Sequence, residues 1–164
     1  MIGAHQICPE LLIAEGLHSR IKLADSDHED IKRAKEVITK ISSSDIGQSC
    51  IVSFGQVLSV ETIGGTDRMI ESLSINRPKS SLYNTNYIYS RDPMIPSGGI
   101  LYKSAKVGQE LRVDMPVVGP QTFLLAKKNG LRGIVITKGN VMVLDKEKCI
   151  SLANSLGLFF LVVK

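Results

Sequence analysis

Tryptophan is absent from this sequence of 164 residues, and aromatic side chains make up only 5% of it. Bases have few faces to stack on, and lysine and arginine are scattered along the chain rather than gathered into a block. Nucleic acid is therefore not an expected partner. No apolar run approaches the roughly 18 residues that a membrane-spanning helix needs; the longest, residues 158–163, has the length of a strand. The start carries no basic stretch followed by an apolar signal core.

Cys8, Cys50 and Cys149 are odd in number, far apart and without metal-type spacing to His5, His18 or His28, so they read as reduced thiols. With the missing leader, that points to a cytoplasmic protein. Also missing are a phosphate loop ending in Gly-Lys-Ser/Thr, a dinucleotide glycine fingerprint and the nucleophile elbow of serine hydrolases, which disfavours those enzyme classes.

What is present is an ordinary globular balance, 43% hydrophobic and 22% charged, in a chain long enough for one core. The net charge of +4 mildly favours anionic ligands such as phosphates, nucleotides or an acidic membrane surface.

Residues 1–25 hold an apolar cluster but no sustained period, with Pro9 and Gly16 as interruptions, and read as an extended lead-in. The abrupt start suggests a fragment of something longer. Ser26 with Glu29 offers a capping box for a helix whose Ile31, Ala34, Val37, Ile38 and Ile41 share one face. Two short β runs around Gly55-Gln56 predict a hairpin. The step Gly64-Gly65 opens a short helix with Thr66 or Asp67 as its cap, and a glycine pair there can hold a phosphate.

Residues 76–97 lack either period and read as a long surface loop. A strand over 99–103 follows, and Pro120 is suited to the first position of a helix ending at Gly130. A second hairpin is expected between 133–137 and 141–144 across Lys138-Gly139-Asn140, then a helix capped by Asp145 and a closing strand over 158–163. The mixture predicts an α/β fold, a mixed sheet with hairpins packed by three to four helices, formed by residues 26–164.

Asp114 is the first chemical candidate. It lies between Arg112 and Met115-Pro116, just before a helix start, where a carboxylate can ligate Mg²⁺ or polarise a water. Arg112 and Lys106 can neutralise a phosphate beside it. The residues alone leave a plainer reading open, in which Asp114 and Arg112 form a surface pair and Pro116 merely ends a strand. Glu61 and Asp67 flank the glycine pair and would add acidic groups to a cation site; as an end-of-strand carboxylate and a helix cap they have an equally plain reading.

The stretch KVGQELRVDMPVVGP, residues 106–120, resembles the signature of the UDP-2,3-diacylglucosamine pyrophosphatase family of lipid A biosynthesis. GAHQICPELL near the start, VETIGGTD at residues 60–67 and GLRGIVITKGNVMVLDKE at residues 130–147 resemble that family in the same order. Departures are Val107 for proline, Glu110 for aspartate, Val118 for isoleucine, and Gly64 where the family has an acidic residue.

The resemblance implies a Mg²⁺-dependent hydrolase that cleaves UDP-2,3-diacylglucosamine to UMP and 2,3-diacylglucosamine 1-phosphate, water attacking the phosphorus attached to uridine. It makes Asp114 the catalytic residue and places Lys106, Gln109 and Arg112 in substrate binding; from the reading of the glycine-pair step, Thr66 joins the substrate-binding set, and Asp67 and Glu61 join Asp114 as the metal set. It further implies a second, N-terminal domain that this chain lacks, peripheral association with the inner membrane, and a homodimer wherever an uncovered interdomain face is left to bury. The alternative is a non-catalytic module that binds a nucleotide sugar or an acylated sugar phosphate, or that dimerises, with the same fold.

Overall fold

A computed structural model describes residues 2–78 and 87–164. A four-residue helix α1 (Ala4–Ile7) and a single 3₁₀ turn precede β1 (Gly16–Leu17), which joins the edge of the main sheet by pairing with the last strand. The lead-in is thus partly built into the sheet.

Helix α2 (Asp25–Ser42) buries Ala34 and Ile38 as its apolar spacing predicts. Its N-cap is Ala24, two residues before the expected Ser26. Asp27, only 1% exposed, accepts the Ala24 N–H at 2.7 Å and also takes Arg132 through Nε at 3.0 Å and Nη2 at 2.9 Å. Ser26 and Glu29 lose because Asp27 satisfies an orphan N–H and a guanidinium with one carboxylate.

Strands β2 (Ser49–Ser53) and β3 (Gln56–Val60) form the expected hairpin, with Ser53 opposite Gln56. Both loop residues take positive φ, 50° at Phe54 and 73° at Gly55, the combination that a tight two-residue turn demands. Phenylalanine is a poor choice there. The buried Asp30 of α2 compensates by accepting the Phe54 N–H at 3.2 Å and the Gly55 N–H at 2.7 Å.

Helix α3 (Gly65–Glu71) leads to β4 (Ser74–Pro78) and β5 (Tyr87–Arg91), which pair antiparallel as a separate ribbon. The expected loop over 76–97 is corrected at 76–78 and 87–91, which are strand, and is found over 92–97; residues 79–86 within it lie outside the described residues. The ribbon is anchored by Arg91, whose Nη1 donates to the carbonyls of Asn129 at 2.8 Å and Gly98 at 3.0 Å.

Strand β6 (Ile100–Lys103), the two-residue β7 (Val117–Val118), α4 (Pro120–Lys128) and β8 (Gly133–Thr137) come next. Then follow β9 (Met142–Val143), α5 (Lys146–Leu156) and β10 (Phe159–Val163). Pro120 opens α4 as predicted, and Asp145 opens α5 by position, though without a side-chain cap bond. The second hairpin does not form: β9 pairs in parallel with β7, not with β8. Likewise α3 is preceded by Gly64, and neither Thr66 nor Asp67 caps it.

The main sheet runs β1-β10-β8-β6-β2-β3, parallel through β10, β8 and β6 and antiparallel toward both edges. Alternation along each strand serves both faces. Cys50, Val52, Ile100, Tyr102, Val135 and Phe159 pack on α2. Ile51, Leu101, Ile134, Ile136 and Phe160 pack against α3, α4 and α5, where Phe123 meets Phe160 edge to face at 5.0 Å. Truncating such a ring to alanine costs about 3–5 kcal/mol. The architecture is a mixed α/β sheet with helices on both faces, as the pattern predicts.

Candidate functional site

The sheet delivers its parallel strands to one edge, and the crevice beyond carboxyl ends of this kind is where open α/β sheets bind ligands. There β6 ends in Lys103, and the chain continues as the loop that carries Lys106, Gln109, Arg112 and Asp114. Short-range bonds fold this loop on itself. Gln109 N donates to the Lys106 carbonyl at 3.1 Å, Lys106 N donates back to Gln109 Oε1 at 2.8 Å, and Asp114 N reaches the Glu110 carbonyl at 3.0 Å. Gln109 Nε2 then donates to Asp114 Oδ2 at 2.8 Å and reaches Gln48 Oε1 at 3.4 Å. Buried Met115 and Pro116 hold the loop's far end.

Asp114 itself is exposed, and it faces a cavity of about 340 Å³ together with Glu61, Lys106, Asp45 and Gln48. Glu61 is 7% exposed. Its position depends on a close backbone approach: a Cβ at Gly47 would lie 2.1 Å from the Glu61 carbonyl oxygen, so only glycine fits. Lys106 Nζ meets Asp45 Oδ1 at 2.5 Å, and that bond raises its ammonium above the ordinary lysine range.

Behind the cavity wall lies a residue that the sequence reading missed. Lys103 is 5% exposed and donates from Nζ to Thr66 Oγ1 at 2.7 Å. Thr66 Oγ1 is 3.5 Å from Ser49 Oγ, and the Ser49 hydroxyl donates to Glu61 Oε2. The Ser49 hydrogen is used on Glu61, so the direction is set: ammonium to threonine, threonine to serine, serine to carboxylate. Each bond polarises the next. Burial pulls the Lys103 pKa down, while the charges of Glu61, Asp67 and Asp114 push it back up. A lysine closing an otherwise apolar β run, GILYK, was the available signal.

The other expected residues are placed as follows. Thr66 sits inside the buried chain of bonds rather than on the cavity lining. Arg112 does not pair with Asp114; it grips Glu110 through Nε at 2.8 Å and Nη2 at 2.5 Å, which holds the Glu110 carboxyl down at about 2. Asp67 is exposed and lies outside the cavity lining, acting on the site only through its charge on Lys103. Among the described residues, no group of three or more His, Cys, Asp or Glu side chains is gathered as a metal cage. Glu61 Oε1 and Asp114 Oδ1 each accept no hydrogen bond among the described residues.

Three carboxylates facing one cavity, Asp45 paired with the Lys106 ammonium at the rim and Glu61 and Asp114 beside it, with a buried ammonium behind them, form a site for handling an anion beside a cation or a water. Residues 14–161 match the family model described as the LpxI C-terminal domain. The chain belongs to that family. It is also 35% identical to the UDP-2,3-diacylglucosamine pyrophosphatase LpxI of Caulobacter vibrioides, over 98% of this chain but 54% of the relative. The chain thus spans about half the length of that relative. The LpxI stretch includes the whole loop from Lys103 to Asp114 and every strand that positions it.

Proposed function

We propose that this chain contributes the reacting half of a UDP-2,3-diacylglucosamine pyrophosphatase, hydrolysing its substrate to UMP and 2,3-diacylglucosamine 1-phosphate. The observation that carries the reading is the convergence of Asp114 and Glu61 on one cavity rimmed by Lys106. The family membership and the name of the Caulobacter relative support the substrate class.

Mg²⁺ suits this donor set. The ion is held through one or two carboxylates and completes its shell with substrate phosphate and water, so a full protein cage is not required. Glu61 and Asp114, each with one carboxylate oxygen left over, would hold it; Asp67 stands apart. When bound, the ion would neutralise charge on the phosphoryl oxygens.

The chain's own residues do the remaining work. Asp114, fixed by Gln109, accepts a hydrogen bond from the attacking water and orients its lone pair toward phosphorus. The ammonium of Lys106 faces the charge that gathers on the bridging and non-bridging oxygens as the anhydride breaks. Lys103, through Thr66 and Ser49, holds Glu61 in place. A substrate with two acyl chains resides in a bilayer surface, so we place the reaction at the cytoplasmic face of the inner membrane, with peripheral docking.

The test is UMP release from UDP-2,3-diacylglucosamine with and without Mg²⁺, comparing this chain with its Asp114→Ala form. Release that needs the cation and disappears in the variant supports the reading. Release that survives Asp114→Ala overturns it.

A further inference from the structure

The head of α1 stands directly against the loop that carries Asp114. A Cβ added at the buried Gly3 would lie 2.9 Å from the Cα of Arg112 and 2.8 Å from Cε1 of His5. Packed Cβ atoms do not approach backbone that closely, so a side chain there would push the two segments apart. The backbone of Gly3 is ordinary and extended, with φ −79° and ψ 154°, a conformation open to any residue. Glycine is required here by the contact alone.

Four residues are too few to hold a helix by themselves, so α1 depends on what surrounds Gly3. The Gly3 N–H donates to Gln6 Oε1 at 2.9 Å, and its carbonyl accepts the Gln6 N–H at 3.0 Å. His5 lays its ring on the same spot, with Nδ1 3.0 Å from the added Cβ. That nitrogen is shielded from solvent and has no hydrogen-bond partner among the described residues. An orphaned polar atom costs stability. The junction is close-packed despite that cost, so a shift of one segment passes to the other.

On the loop side, Arg112 belongs to a turn. The N–H groups of Val113 and Asp114 both donate to the Glu110 carbonyl at 3.0 Å, and the Arg112 side chain bends back onto Glu110. Gln109 fixes Asp114 from within this loop. Gly3 bears on the same loop from a segment distant in sequence, two residues before the reacting carboxylate.

We propose that Gly3 is a positioning residue of the site: by resting on the Arg112 backbone, the head of α1 sets where the turn 110–114 stands and hence where Asp114 meets its cavity. Gly47 does the same for Glu61, so Asp114 and Glu61 are each located by one glycine contact. The inference rests on the proposed hydrolysis for its effect on turnover, whereas the contact itself is testable without it.

The test is hydrogen exchange, read by mass spectrometry on the full chain, wild type against Gly3→Ala, with UMP release measured in parallel. Gly3→Ala is expected to speed exchange of the Val113 and Asp114 amides by about tenfold while the strand amides of β8 stay unchanged. Gln6→Ala adds no atom but releases the Gly3 N–H, and should speed the same amides by about threefold. Ile7→Ser, at an exposed side chain of the same helix, should leave them unchanged. Turnover should follow the loop, with kcat about tenfold lower in Gly3→Ala and KM within about twofold.

Loop exchange unchanged in both Gly3→Ala and Gln6→Ala would overturn the assignment. So would acceleration spread equally over β8, which marks a loosened fold instead of a displaced loop, or a wild-type kcat in Gly3→Ala. Faster exchange confined to the loop, in a chain that releases no UMP, would uphold the contact while the proposed reaction failed.

Discussion

Lys103 Nζ donates to Thr66 Oγ1 at 2.7 Å from a position only 5% exposed, placing a cation inside the wall of an otherwise acidic cavity. Lys103→Met is expected to lower turnover by about 10²-fold by removing the charge that faces Glu61 and Asp114. Its stability signature has a defined sign. The folded pKa is depressed by burial. The penalty is therefore fully present at neutral pH, where both states are protonated, and is relieved as pH rises through the folded value toward the ordinary 10.5. The stability difference between wild type and Lys103→Met, from urea melts at pH 7 and just below 10.5, should shift in favour of wild type at the higher pH; a flat difference would refute this account.

Gln109 is a positioning residue that acts through Asp114, held at 2.8 Å. Gln109→Ala should reduce kcat by about tenfold and leave KM nearly unchanged, because the lost bond orients a reacting group more than it binds substrate. Partial recovery in Gln109→Asn, with no change in melting temperature, would distinguish positioning from loop collapse.

Gly47 is close against the Glu61 carbonyl, and an added Cβ would have to displace backbone. Gly47→Ala should cost about 1–3 kcal/mol of stability and reduce activity together with it. Activity at the wild-type level would mean that the Glu61 segment is free to move without consequence.

The β2–β3 turn depends on Asp30 accepting two amides. Asp30→Ala leaves them with lost partners and should cost about 1–3 kcal/mol by chemical denaturation. Phe54→Asn, a residue at ease with φ of 50°, should instead stabilise the fold, by about 0.5–1 kcal/mol.

Much of the fold was legible because its signals are local. The apolar face of α2, the hairpin around Gly55 and Pro120 at the head of α4 each follow from a period or a dihedral constraint within a few residues. The signature around Asp114 was legible for the same reason, being one continuous loop. Less was visible wherever two local solutions compete. Ser26 and Asp27 are adjacent capping candidates, and Arg132, more than a hundred positions away, selects Asp27. The β4–β5 ribbon stands outside the main sheet and has no need of an alternating pattern, so its sequence read as loop.

By itself the sequence determined the element types, the α/β class, family kinship and Asp114 as the residue to examine, since all of these rest on pattern and short-range chemistry. Tertiary structure alone decided that β9 joins β7 instead of β8, that Arg112 serves Glu110, that Thr66 is internal, and that Lys103 stands behind the site. Two-residue pairing and buried charge are set by which distant groups share one low-dielectric space, and a linear pattern does not carry that information.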